Sequence, residues 1–304
     1  MTGATPFRAH RGITPSVAVR ARPIGVFDSG VGGLTVLRAL QTRLPGERFV
    51  YLGDTARLPY GTKSADTVVR YALQAADALV SCGVKALVVA CNTASSVALP
   101  ALGRRFADLP VIGVVEPGAE AAVAASASGR IAVIGTEATV REGAYQRAIL
   151  ARRADAQVLA SACQLFVALA EEGWTEGAVA QAAARRYLQP LFGARAAPTE
   201  APAGPGTPDI SDTPDTLVLG CTHFPMLGAV IRAVVGAHTT IVDSAQTTAS
   251  AAEALLRERG LLGTAAPGAA LRLLATDGAA RFAAVGGRFL GRPIAPEEIE
   301  LIDL

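Results

Sequence analysis

The chain has 304 residues, 51% of them hydrophobic and 18% charged, with 28 basic against 26 acidic side chains for a formal charge of +2. That length buries a sizeable core without disulfide or metal staples, and the composition excludes a disordered chain and a coiled coil. Only Lys63 and Lys85 are lysines and the arginines are scattered, so no basic groove for nucleic acid is laid out.

In chain order, residues 1–22 carry four arginines and no acid, and read as a disordered N-terminal extension rather than a transit peptide. Seven short apolar runs follow, at 23–30, 48–54, 85–93, 109–118, 130–136, 216–223 and 239–244. Runs of this kind are what parallel strands look like when helices cover both faces of their sheet. Ala-rich amphipathic stretches at 64–81, 138–153, 176–193 and 246–259 alternate with them and predict helices. Strand, loop and helix in repetition predict an α/β fold with parallel sheets, whose ligands lie beyond the carboxyl ends of the strands. Residues 194–215 hold five prolines and two glycines in 22 positions and read as a surface insertion. No run of 18 apolar residues occurs, so no membrane span is predicted.

Two segments share one plan. ALVVACNTASSVALPAL (86–102) and TLVLGCTHFPMLGAVI (216–231) each run from an apolar strand through a cysteine and two polar residues into a helix. That predicts two similar halves, with Cys91 and Cys221 each at a helix N-terminus. The helix dipole and unpaired N–H groups there favour thiolate, bringing the pKa below the ~8.5 of free cysteine. Asn92, Thr93, Thr222 and His223 add hydrogen-bonding groups beside them. Cys82 and Cys163 lack this setting and read as buried filler. With no C-x-x-C spacing and three histidines, neither a disulfide framework nor a zinc site is expected, and single thiols fit a reducing compartment.

Two thiols on opposite sides of one ligand suit inversion of a carbon stereocentre, where one group removes a proton and another returns it. A Cys–His hydrolase using Cys221 and His223 is a competing reading, although a histidine two residues on aims poorly for a dyad. A thiol–disulfide enzyme is another, and would more often use C-x-x-C.

The loop Asp28-Ser29-Gly30-Val31-Gly32-Gly33 follows a strand and opens a helix. It has the look of a dinucleotide turn, with Asp54 as a ribose-binding acid, but Asp28 would face the pyrophosphate and Thr35 replaces the third glycine. The preferred reading is a loop whose glycines admit a small anionic ligand, with Asp28 orienting an amine or a thiol. Leu58-Pro59-Tyr60-Gly61-Thr62 forms a second polar loop. Glu171 and Glu172 read as a solvated helix end. His10 falls in the extension and His238 in a turn, leaving His223 as the acid–base histidine.

Taken together, IGVFDSGVGGLTVL (24–37), YLGDTARLPYGTKS (51–64), VVACNTAS (88–95), VIGVVEPG (111–118), IGTEATV (134–140), LFVALAEEGW (165–174), LVLGCTHFPML (217–227) and IVDSA (241–245) resemble the glutamate racemases of the aspartate/glutamate racemase superfamily. The resemblance implies a cofactor-independent, cytoplasmic enzyme interconverting L- and D-glutamate, with the D-form destined for peptidoglycan. It implies a homodimer with no membrane or nucleic-acid partner and no metal. It implies two pseudosymmetric flavodoxin-like α/β domains, 23–116 with 243–304 and 117–242, with the active site in the cleft between them. By motif, Cys91 and Cys221 are then the catalytic bases, acting on the D- and L-enantiomer respectively, assisted by Asp28 and His223. Asp28, Ser29, Tyr60, Gly61, Asn92, Thr93, Thr222 and His223 match substrate-contact positions, and Thr136 and Thr139 match a carboxylate pocket.

Overall fold

A computed structural model describes residues 15–193, 213–263 and 270–304. Most of the predicted insertion 194–215, and residues 1–14 of the predicted extension with His10, lie outside the described residues. The rest of the extension carries one helical turn, Val17–Arg20, capped by the Ser16 hydroxyl. The Arg20 carbonyl accepts from Lys85 Nζ at 2.6 Å, and Lys85 also forms a buried ion pair with Glu47 at 2.5 Å. Residues 15–22 are therefore tied to the body of the protein.

Ten strands form among the described residues: β1 (Ile24–Asp28), β2 (Phe49–Gly53), β3 (Ala86–Val89), β4 (Val111–Gly113), β5 (Arg130–Gly135), β6 (Gln157–Ala162), β7 (Thr216–Gly220), β8 (Thr240–Asp243), β9 (Leu271–Ala275) and β10 (Ile299–Leu301). They make two sheets, ordered β10-β9-β2-β1-β3-β4 and β6-β5-β7-β8, and every pairing is parallel. The α/β class and the parallel sheets are thus as the apolar runs foretell. Every position of β1, β2, β3 and β7 is buried, as double helical cover requires. Each large apolar side chain so buried contributes about 1.5–3 kcal/mol.

The helices mostly follow the predicted stretches. Ala65–Ser81 starts where Ser64 accepts from Thr67 N, and Gly177–Phe192 and Ser244–Glu258 fill the other two long stretches. The expected helix 138–153 is instead two, Glu137–Glu142 and Ala144–Arg152, because Gly143 turns left-handed at φ 62° between them. Helix Ser244–Glu258 packs on both Leu34–Arg43 and Val115–Ala125, and Val115–Ala125 packs on Ala144–Arg152, so helices link the layers of the two sheets. No helix among the described residues is long and apolar enough to cross a membrane.

Candidate active site

Asp28, Cys91, Thr136 and Cys221 occupy or follow the carboxyl ends of β1, β3, β5 and β7, two strands from each sheet. They open together into one narrow cleft of about 40 Å³. Ser29, Tyr60, Gly61, Asn92, Thr93, Thr222 and His223 line it as well, so every site residue carried by the motifs but Thr139 is gathered there. Thr139 stands one layer back, its hydroxyl 3.0 Å from Thr136 and 3.3 Å from Thr93. Leu58, named in the second polar loop, and Glu171, read as a helix end, also line the cleft, as do Gln164 and Val167, which sequence did not single out.

Cys91 is the N-cap of helix Asn92–Val97, its Sγ accepting from Ala94 N at 3.5 Å and lying 3.7 Å from Ser29 Oγ. The expected drop in its pKa does not occur. Burial, followed by the negative charge of Asp28, pushes the thiol up to about 12, outweighing the hydrogen bonds from Ala94 and Ser29. Asp28 is itself raised by burial, against the pull of His223 and the amides of Gly33, Gly30 and Ser29. Among the other thiols, Cys163 is fully buried as expected, whereas Cys82, at the end of its helix, is only half-buried.

Cys221 departs from the predicted symmetry. Past it the chain makes a short 3₁₀ turn, Phe224–Leu227, before helix Gly228–Val235 begins, so Cys221 does not cap an α-helix. The tight turn closes Phe224 N on the Cys221 carbonyl at 3.2 Å and swings His223 back. Its Nδ1 lies 3.8 Å from Cys221 Sγ, so the reading that a histidine two residues on is badly aimed is corrected by the turn.

Glu171 also needs correction. Rather than a solvated helix end, it is a mostly buried carboxylate whose Oε1 accepts from His223 Nε2 at 3.1 Å. Its Oε2 lies 3.4 Å from Arg281, and the bond from His223, ahead of the charges of His223 and Arg281, lowers its pKa against the effect of burial. Burial works to lower the pKa of His223, but Cys221, Glu171 and Asp28 together raise it to about 10. The result is an imidazolium held between the Cys221 sulfur and a carboxylate. Glu172, by contrast, is exposed.

Within the first loop Gly30 lines the cleft, while Gly32 is required by packing. A Cβ on Gly32 would lie 2.3 Å from Thr222 Oγ1 and 2.5 Å from the His223 ring. Thr35 Oγ1 donates to the Thr222 carbonyl at 3.1 Å, docking the Asp28 loop on the Cys221 loop. Asp54 is not open to a ribose. Its Oδ2 accepts from Tyr60 and from Arg57 at 2.7 Å, its Oδ1 accepts from Thr276 at 3.0 Å, and the residue is fully buried. Two buried polar atoms on the cleft residues have no partner among the described residues, the acceptor Asp28 Oδ1 and the donor Asn92 Nδ2. No group of three or more His, Cys, Asp or Glu among the described residues is arranged to hold a metal ion.

The profile of the Asp/Glu/Hydantoin racemase family matches residues 24–197. A glutamate racemase of Geobacter metallireducens is 48% identical over 270 residues, covering 89% of this chain and 93% of the relative. The crystal structure of Francisella tularensis glutamate racemase in complex with D-glutamate superposes with a TM-score of 0.82 at 32% identity, covering 93% of this chain and 98% of that one. The Thermus thermophilus enzyme in complex with β-chloro-D-alanine gives 0.77 at 42% identity, covering 94% and 98%. The chain belongs to the Asp/Glu/Hydantoin racemase family and, within it, to the glutamate racemases.

Proposed function

We propose that this chain interconverts L- and D-glutamate by a two-base proton transfer that needs no cofactor, supplying D-glutamate for peptidoglycan. The observation that carries the reading is that Cys91 and Cys221, from different sheets, open into one cleft with different partners. The unpartnered Asp28 Oδ1 and Asn92 Nδ2 in that cleft complement an ammonium and a carboxylate, the two groups of an amino acid. The named relatives and the D-glutamate complex point to which amino acid it is.

From L-glutamate, Cys221 Sγ takes the proton as the Cα–H bond breaks, and the electron pair stays on carbon. The Cys91 thiol then gives its proton to the opposite face, leaving a Cys91 thiolate and a protonated Cys221 ready for the reverse reaction. The high pKa of Cys91 keeps it an acid at the start of this step. Protonated His223, held by Glu171, offsets negative charge on Cys221, while Asp28 and Ser29 serve Cys91. Ser29, Tyr60, Gly61, Asn92, Thr93 and Thr222, with Asp28 and His223, hold the substrate.

We place this site between two domains, 23–116 with 243–304 and 117–242, in a cytoplasmic homodimer. The four free cysteines support a reducing compartment. Chiral chromatography of L-glutamate and L-aspartate incubated with the protein alone tests the activity. L-Glutamate turns to racemate, and in D₂O the D-product carries deuterium at Cα. Racemisation of aspartate with glutamate untouched overturns the substrate. A monomer by light scattering overturns the dimer.

A further inference from the structure

Tyr145 is fully buried on helix Ala144–Arg152, and its hydroxyl donates to Asn92 Oδ1 at 2.7 Å. Asn92 directly follows Cys91, lines the cleft, and has its amide nitrogen unpartnered among the described residues. On its other side the Tyr145 ring crowds Gly220, the residue before Cys221, where a Cβ would stand 3.1 Å from the ring. A Cβ on Gly118 would stand 3.0 Å from the same ring. One side chain therefore touches the chain beside both cysteines, in a slot with no room to turn.

A carboxamide can face the cleft with either end, and only one end suits an anionic ligand. With its oxygen engaged, the amide presents two N–H donors to a carboxylate. With the amide reversed, its oxygen would repel the carboxylate. Burial, with the charges of Cys221 and Asp243 adding to it, raises the phenol well above its ordinary range, so the hydroxyl is always protonated and available as a donor.

We propose that Tyr145 is a positioning residue that locks the Asn92 amide with its nitrogen toward the substrate carboxylate, and so sets the affinity for glutamate. The inference rests on the amino-acid reading of the cleft given above. Tyr145→Phe keeps the ring and removes only the donor. Because the hydroxyl acts through Asn92 on binding, the Kd and the KM rise together, about tenfold for either enantiomer, while kcat changes less than threefold.

The test is a double-mutant cycle of Tyr145→Phe and Asn92→Ala, with glutamate binding read by calorimetry and racemisation read separately. The expected result is that Tyr145→Phe weakens binding in the wild-type background and has no further effect once Asn92 is alanine. Additive losses in the cycle, or unchanged binding by Tyr145→Phe, overturn the proposal. A loss confined to thermal stability also overturns it, since a packing role moves the melting temperature and leaves the Kd alone. A wild-type protein that binds glutamate without racemising it overturns the two-base reading and leaves the cycle decisive for this one. A wild type that binds no glutamate overturns both.

Discussion

Glu171 and His223 stand 52 residues apart in the chain, yet Glu171 Oε1 and His223 Nε2 meet at 3.1 Å beneath the cleft. The histidine gains its partners on folding, and its pKa rises from 6.5 to about 10. A raised pKa stabilises the fold fully below the unfolded value, and the benefit is lost as pH climbs through the folded one. Denaturant midpoints of the wild type are therefore expected to fall between pH 6.5 and about 10, and His223→Asn to flatten that decline. An equal slope in both proteins would remove His223 as its source.

The same pair predicts a kinetic signature. Glu171→Gln removes the negative charge but keeps the size, so His223 loses its proton at lower pH. The alkaline limb of kcat/KM is expected to move down by about one unit from the His223 value of about 10, with little change near pH 8 and about tenfold less activity on the falling limb above pH 10. Both enantiomers lose kcat/KM equally, because their ratio is fixed by an equilibrium constant of one. A pH profile that keeps its position while only its height changes would argue that Glu171 acts on something other than His223.

Division of labour between the thiols is best read with an analogue that expels a β-leaving group after a single deprotonation. Serine is a far poorer base than cysteine. Cys91→Ser and Cys221→Ser are each expected to lose racemisation by at least about a hundredfold. Cys91→Ser retains elimination from the L-analogue, and Cys221→Ser from the D-analogue. Loss of both eliminations in both folded variants would defeat the two-base assignment.

Gly32→Ala drives a methyl group into Thr222 and His223, which are both buried. Overpacking of this kind costs about 1–3 kcal/mol, and a displaced His223 costs at least tenfold in activity. Gly103, exposed on helix Leu99–Arg105 with open space where a Cβ would go, is the control. Gly103→Ala is expected to be neutral or to stabilise by up to about 1 kcal/mol. Equal effects of the two changes, in melting and in assay, would show that the neighbours of Gly32 give way to the added methyl group.

Of the predicted insertion 194–215, Asp215 accepts from Ser126 and Ser128, so the part expected to be dispensable narrows to 194–212, which contributes no motif to the site. Replacing it by a short Gly/Ser bridge between Gly193 and Thr213 is expected to leave kcat/KM within tenfold. A larger loss in a folded variant would bring the segment into the functional account.

The strands that sequence reveals most clearly are those buried on both faces, such as β1 with five buried positions in a row. β6 and β10 escape because Gln157 and Ser161 in the one and Glu300 in the other break the apolar run, whereas the edge strands β4 and β8 keep a Val–Ile pair that marks them. β9 carries exposed Arg272 at its second position and is lost the same way. At the site, residues next to a strand end could be found from their loops, as Cys91, Asp28 and Cys221 were. Glu171 could not, since helix Leu165–Glu172 reaches the cleft only through packing against the turn after Cys221. The 3₁₀ turn after Cys221 was equally hidden, because Pro225 is as compatible with the first turn of an α-helix as with a 3₁₀ one.

The strand order of the larger sheet also governs how the chain comes together during synthesis. β2 lies between β1 and β9, with Phe49 paired to Leu271, so one apolar edge waits for a partner made more than two hundred residues later. At roughly 5–20 residues per second on the ribosome, that wait is about 10–40 s. The smaller sheet draws all its strands from residues 130–243 and closes well before then. A nascent chain thus carries one finished sheet beside one open edge of buried-type residues, a state in which self-association competes with completion. The lining of the cleft ends at His223, so every residue of it is made before that edge finds its partner.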